Sequence, residues 1–274
     1  MPKMSIARTQ FAPSTFQKTV RKFFCRPYFG RLIAKTSGNQ IRFGNATIDT
    51  SSHVIDPLTK AAIFWGTYEE VEADLVDRFV DPALHVLEIG ASLGVISARI
   101  ARRLLAGRAL ICVEPNPACT ATLEANLRIN AGHLKTTVVN KALWSGQTGA
   151  DKTMRMNVTD INSARIESAA SDPNTGSTVE TVRFSDLLAL LPDEPLSLVI
   201  DIEGAEVPLL LHEEANIRRA RQLIMELHET EYEGRTYSVD WIADRITNLG
   251  FECQAAVMRN PGLGVFVFNK TGSR

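Results

Sequence analysis

The residues best suited to do chemistry fall in three short stretches, each at the end of an apolar run. The first is Val86-Leu87-Glu88-Ile89-Gly90-Ala91-Ser92-Leu93-Gly94, where the run gives way to a glycine turn. Glycines there let the backbone approach a ligand closely, and a helix opening at Gly94 offers free N–H groups beside it. The second, Cys112-Val113-Glu114-Pro115-Asn116, sets a carboxylate just past another apolar run. Two acceptor oxygens suit a ribose diol. The third is Ile200-Asp201-Ile202-Glu203-Gly204-Ala205-Glu206, with Met225-Glu226-Leu227-His228-Glu229 downstream. Asp201 and His228 are the candidates for accepting a proton, and Glu203 and Glu206 the candidates for facing a substrate. Acids at a helix start are also favoured by the helix dipole, with no ligand at all.

The glycine spacing separates two cofactor classes. A dinucleotide turn wants G-x-G-x-x-G, whose second glycine clears space for pyrophosphate. Here Ala91 and Ser92 follow Gly90, and only Gly94 closes the turn. S-adenosylmethionine has no phosphate and needs no such clearance, and Glu88 supplies an acid at the strand end for its cationic groups. The reading therefore goes to S-adenosylmethionine, with a nicotinamide oxidoreductase as the enzyme runner-up.

These stretches need strands that end together at one edge. Short apolar runs at 84–89, 109–114, 136–143, 196–201 and 222–228 read as strands. Helical periodicity at 58–79, 94–105, 117–130, 185–191, 207–215 and 238–249 separates them, with Asn116 placed to cap the third. Such alternation implies an α/β fold, a doubly wound, mostly parallel sheet with helices on both faces. Two closing strands, 251–258 and 264–268, flank the turn Asn260-Pro261-Gly262, so the final strand is antiparallel. The stretch 147–178 is poor in apolar residues and ends in a loop composition, marking an inserted loop and candidate substrate lid.

Together these residues resemble the FkbM family of S-adenosylmethionine-dependent methyltransferases, from about Gly66 to Phe268. The marks are Gly66-Thr67-Tyr68-Glu69, the Gly90 to Gly94 turn, Val113-Glu114-Pro115-Asn116, Lys141-Ala142-Leu143, the Val182 to Leu188 approach and, most specific, Ile200 to Glu206. The resemblance implies a Rossmann-like class I methyltransferase sheet of seven strands, and O-methylation of a sugar, glycolipid or polyketide-like hydroxyl. It implies that Glu88, Gly90, Ser92 and Gly94 line the methionine part of the cofactor, and that Glu114 holds the ribose with Asn116 beside it. Asn140 and Ala142 would border the adenine, and Tyr68 and Glu69 would close over the cofactor. The chain departs from the family at Ser92, usually Asn, and at Glu88, often Asp.

An alcohol is a poor nucleophile at neutral pH, so a positioned acceptor for its proton helps. A magnesium-assisted version would draw on Asp201, Glu203 and Glu226, but no Asp-Asn pair of the catechol-methylating type is present, and no metal is expected. The Asn/Asp-Pro-Pro-aromatic motif of nucleic-acid amine methylation is absent, as is a Pro-Cys nucleophile for carbon methylation. Nucleic acid is thus not the expected acceptor. The rival from another class is a non-catalytic, cofactor-binding or membrane-surface adaptor.

Charge adds a separate question. The 274 residues carry 30 basic and 31 acidic side chains, yet nine basic residues and no acidic one precede Asp49. The expected organisation is a basic arm over 1–50 joined to a methyltransferase domain over 51–274. Phe16, Val20, Phe23 and Phe24 among Lys and Arg suggest a short basic helix broken at Pro27. The arm could touch anionic lipid, act as an organelle transit segment, or pair with the acidic body. The four cysteines show no ligand or disulfide spacing, and no apolar segment reaches the ~20 residues of a membrane span. A cytoplasmic enzyme is expected, peripheral to the inner face of a membrane if the arm binds lipid.

Overall fold

The computed structural model describes residues 8–12, 14, 20, 23–144, 153–157, 165–166 and 177–272. In chain order, β1 (Arg8–Gln10) precedes α1 (Pro27–Ser37), then a hairpin of β2 (Gln40–Phe43) and β3 (Ala46–Asp49). Helices α2 (Pro57–Phe64) and α3 (Glu70–Phe79) lead into the main alternation. This runs β4 (His85–Ile89), α4 (Val95–Arg103), β5 (Ala109–Val113), α5 (Pro117–Asn130) and β6 (Lys135–Val139). A side sheet follows, of β7 (Ala142–Trp144), β8 (Thr153–Asn157), β9 (Arg165–Ile166) and β10 (Ser177–Arg183). Then come α6 (Phe184–Leu188), β11 (Leu196–Ile200), α7 (Glu206–His212), α8 (Glu214–Ile217) and β12 (Ala220–His228). The small hairpin β13 (Thr230–Tyr232) and β14 (Arg235–Tyr237), helix α9 (Val239–Asn248), β15 (Phe251–Asn260) and β16 (Leu263–Lys270) complete the chain.

The main sheet has the order β1-β15-β16-β12-β11-β4-β5-β6. Only β16 runs antiparallel to its neighbours β12 and β15; the other pairs are parallel. This is the doubly wound, Rossmann-like sheet with an antiparallel final strand, and β1 adds an eighth strand at its edge. β4, β5 and β11 are buried along their whole length, which is why they read as continuous apolar runs rather than alternating ones. Two clusters cover the faces. One gathers α3, α4, α5 and the β2–β3 hairpin around Leu93, Ile100 and Leu123; the other gathers α6, α7 and α9 around Phe184, Leu210 and Ile246.

Several elements depart from expectation for physical reasons. The helix over 58–79 is two helices, because Gly66 (φ 70°) and Glu69 (φ 41°) take left-handed conformations between them. Pro27 opens a helix rather than breaking one, since at the first position its missing N–H is no loss. The basic helix expected before it lies largely outside the described residues. The third strand stops at Val139, and 142–144 joins the side sheet instead. Strands β8, β9 and β10 occupy parts of the expected loop; the lid role for 147–178 falls mostly outside the described residues. Within the expected arm, Ile33, Ile41, Phe43, Ala46 and Ile48 are buried in the same cluster as the α4 and α5 side chains.

The chain leaves β4 outward through β5 and β6, then crosses back to β11 and β12. The switch point lies between β4 and β11, where a crevice opens over the strand ends.

Candidate functional site

The glycine turn is built by contacts that admit no side chain. A Cβ on Gly90 (φ 92°) would lie 1.7 Å from the Asp201 carbonyl oxygen, because the Asp201 N–H donates to Ile89 O at 2.9 Å and holds the two strand ends together. Gly94 (φ 77°) opens α4, and a Cβ there would meet Leu123 at 2.7 Å. The Gly90 and Ala91 N–H groups both donate to Val113 O, wrapping the turn over the end of β5.

Glu114 sits against this turn with both carboxylate oxygens engaged. Oε2 accepts from the Ser92 N–H at 2.8 Å and Oε1 from the Asn116 N–H at 2.7 Å. Burial raises its pKa, and these two bonds oppose the rise. Each oxygen keeps a further lone pair for a diol. Asn116 caps α5 through the Ala118 N–H, and the Asn140 side-chain amide donates to the Glu114 carbonyl at 2.7 Å. These two asparagines shape the wall from behind; neither lines the cleft.

Of the residues expected to bind the cofactor, Glu69, Glu88, Gly90, Ser92, Glu114 and Ala142 line the cleft, together with Asp201 and Glu203, whereas Tyr68 and Gly94 do not. Its far end is apolar, with Pro115, Ala142 and Leu143. Its near end is acidic. Burial pushes the Glu88 carboxyl up to about 7, against a hydrogen bond from the Cys112 thiol at 3.2 Å. Burial, with the Glu72 and Asp201 charges, pushes Glu69 up to about 8. Tyr68 is buried, and its hydroxyl is hydrogen-bonded to the Glu69 and Ser92 side chains.

A second cavity adjoins the first through Glu69, Glu72, Asp201, Glu203 and Glu226. Tyr68, His228, Arg259 and the α2 residues Leu58, Thr59 and Ala62 complete its wall. His228 ends β12, with Nδ1 at 3.1 Å from Glu206 Oε1 and Nε2 at 3.6 Å from Glu203 Oε2. Glu206 also accepts from the Gly204 N–H and is wholly buried. Expected on the substrate side, it stands behind His228 instead, lining neither cavity. Burial works against protonating His228, but the bond and charge of Glu206, with Asp201 and Glu203, outweigh it and raise the pKa above 6.5. Asp201 is pushed up to about 7 by burial, against the pull of His228. Its Oδ1 is shielded from solvent and lacks a hydrogen-bond partner among the described residues.

Arg259 and Glu72 have no sequence signal. Arg259, next to the closing turn, binds Glu72 at 2.5 and 2.6 Å and lies 3.7 Å from Glu226. Burial and the Asp201 and Glu72 charges drive the Glu226 carboxyl far above the usual carboxylate range, against Arg259. One donor atom each from Asp201, Glu203 and His228 falls within 4.8 Å of the others, a set that can hold a divalent cation.

The methyltransferase FkbM domain family matches residues 88–253. No curated protein matches the chain. Among solved structures, EvdMO1 is 14% identical with a TM-score of 0.41, covering 73% of this chain; the chain spans 41% of that protein's length. A putative RNA methyltransferase from Pyrococcus horikoshii is 14% identical with a TM-score of 0.40, covering 89% of this chain and 98% of that one. Fibrillarin from Aeropyrum pernix, crystallised with natively bound S-adenosyl-L-methionine, is 12% identical with a TM-score of 0.41, covering 73% and 74%.

Proposed function

The chain belongs to the FkbM family of S-adenosylmethionine-dependent methyltransferases, and from that premise we propose that it methylates a hydroxyl oxygen of a sugar, glycolipid or polyketide-like molecule, with His228 accepting the hydroxyl proton. The residues of the first cleft fit this cofactor. The turn at Gly90 leaves room where a Cβ would collide, Glu114 offers oxygens for a ribose, and Pro115, Ala142 and Leu143 suit a flat apolar base. The unpartnered Oδ1 of Asp201 and the carboxyls of Glu69 and Glu88 match the cofactor's cationic end. When bound, the cofactor supplies an electrophilic methyl group on its sulfonium.

The observation that carries the reading is the His228–Glu206 pair. A wholly buried carboxylate on Nδ1 holds the ring in one orientation and leaves Nε2 toward the second cavity, where an acceptor hydroxyl can give up its proton. Glu69 lines both cavities and Tyr68 the second, where they can exclude water from the transfer path. Arg259 pairs with Glu72, so neither leaves an isolated buried charge. A non-catalytic adaptor has no need of an oriented imidazole beside a cofactor cleft.

The test is a split between binding and turnover. Calorimetry with S-adenosylmethionine should show binding to both wild type and His228→Ala. Formation of S-adenosylhomocysteine in the presence of a cell extract should be seen only with wild type; equal turnover by the variant removes His228 from the role. A second reading places a divalent cation among Asp201, Glu203 and His228. Turnover lost in excess chelator and restored by magnesium would favour it over proton acceptance by His228.

A further inference from the structure

Nine large apolar side chains are exposed to solvent among the described residues, and six of them crowd one corner: Phe23, Phe24, Tyr28, Leu32, Leu58 and Phe64. The corner is built by α1 lying on α2 so closely that a Cβ on Gly30 would sit 1.6 Å from Pro57 O. Rings run across the joint, with Phe24 at 5.3 Å from Phe29 and 5.2 Å from Trp65, and Trp65 at 5.1 Å from Phe64. Ile33 and Gly30 face inward along α1. The opposite stripe, Tyr28, Arg31, Leu32 and Lys35, repeats at helical spacing and is exposed throughout. Neither helix contains an acidic residue, and the acid at the joint is Asp56, its carboxylate turned onto the first N–H groups of α2 as the helix cap.

Soluble surfaces rarely gather this much apolar area in one place without a partner. An aromatic and aliphatic stripe interleaved with cations, and free of anions, fits the boundary of an anionic bilayer, where rings enter the headgroup layer and cations meet lipid phosphates. A second copy laid face to face would bring Arg31 and Lys35 against their own like. The patch also runs to the second cavity, since Leu58 belongs to both and Thr59 and Ala62 of the same helix line its wall.

We propose that the α1–α2 corner docks the protein on an anionic membrane surface, and that the methyl acceptor is a lipid-borne hydroxyl entering the second cavity from that surface. The docking half stands on the patch alone; the acceptor half rests on the methyl-transfer reading above.

Vesicle flotation tests docking without any turnover. The full chain is mixed with phosphatidylcholine vesicles with or without phosphatidylglycerol, at low and high salt. Binding to the anionic vesicles alone, weakened by salt, is expected. The double variant Arg31→Glu/Lys35→Glu should bind about ten- to hundred-fold more weakly. Tyr28→Ser/Leu32→Ser should lose binding too, both variants keeping the wild-type melting temperature and cofactor affinity. No binding to anionic vesicles, equal binding to neutral ones, or a patch variant that binds like wild type overturns docking. So does self-association in sedimentation that the same variants abolish, since it assigns the patch to a second copy. With docking established, labelled methyl found only in water-soluble products overturns the lipid-borne acceptor, while label in the lipid fraction supports it.

Discussion

Glu206 and His228 meet at 3.1 Å, Oε1 to Nδ1, with the carboxylate wholly buried and the ring reaching the cavity wall. The pair spans the starts and ends of two neighbouring units, since Glu206 opens α7 and His228 closes β12. A carboxylate fixed in this way does two things to an imidazole. It favours the tautomer with the proton on Nδ1 and the Nε2 lone pair toward the second cavity, and it raises the pKa.

Glu206→Gln separates those effects from simple loss of structure. Removing the negative charge lowers the His228 pKa, which Glu206 now holds above 6.5. Turnover should rise with pH as His228 loses its proton, and the variant should show that rise at lower pH than wild type. The maximal rate should fall at least about ten-fold, because the amide holds the ring less firmly and no longer stabilises its charged form. An unshifted limb in the pH–rate profile would mean that His228 does not govern it.

Glu114→Ala tests the ribose assignment. Calorimetry should give S-adenosylmethionine affinity about ten- to hundred-fold weaker, the scale of one or two charged hydrogen bonds. The Ser92 and Asn116 N–H groups would also lose their acceptor, so the melting temperature of the variant must be read beside its affinity. Glu114→Gln, which keeps an acceptor oxygen, should recover part of both.

Gly90→Ala should damage the fold before it damages chemistry. The added Cβ collides with the Asp201 carbonyl, and the residue holds φ at 92°. A cost of at least about 3 kcal/mol is expected, read as a melting temperature lower by roughly 6–12 °C. Gly132→Ala makes the control, because a Cβ there meets nothing within 4 Å.

Stability of the cofactor-free protein should depend on pH through Glu88 and Glu69. Burial raises them from 4.5 to about 7 and about 8, so the folded state holds protons that the unfolded state has released. Their contribution is complete below about 4.5 and is lost as pH rises through 7 and 8. Melting temperature from these groups should therefore fall between pH 6 and 8. The cationic cofactor favours their ionised forms, so its stabilising shift should be larger at pH 8 than at pH 6. Thermal melts with and without S-adenosylmethionine check both signs.

Much of this arrangement was legible in the sequence for a physical reason. β4, β5 and β11 are buried on both faces, so they stand out as apolar runs, and the acids at their ends mark the edge where ligands bind. Asn116 caps its helix at the position its side chain favours. The four-residue strands of the β2–β3 hairpin were not legible, because such short alternation is lost among the flanking basic residues. The break between α2 and α3 was hidden by apolar spacing that continues across Gly66 and Glu69. Glu206 follows a strand end, where an acid usually faces the crevice, but the start of α7 carries it behind His228. The Arg259–Glu72 pair joins residues 187 positions apart, and no local pattern announces it.

The most direct test is to find the atom that receives the methyl group. The protein is incubated with S-adenosylmethionine carrying an isotope-labelled methyl and with fractionated cell extract, and the labelled product is isolated and its methyl located by nuclear magnetic resonance. The account predicts a methyl on oxygen, in a product that His228→Ala fails to make while still binding the cofactor. A methyl on nitrogen or carbon, or the same product made equally well by His228→Ala, would contradict it.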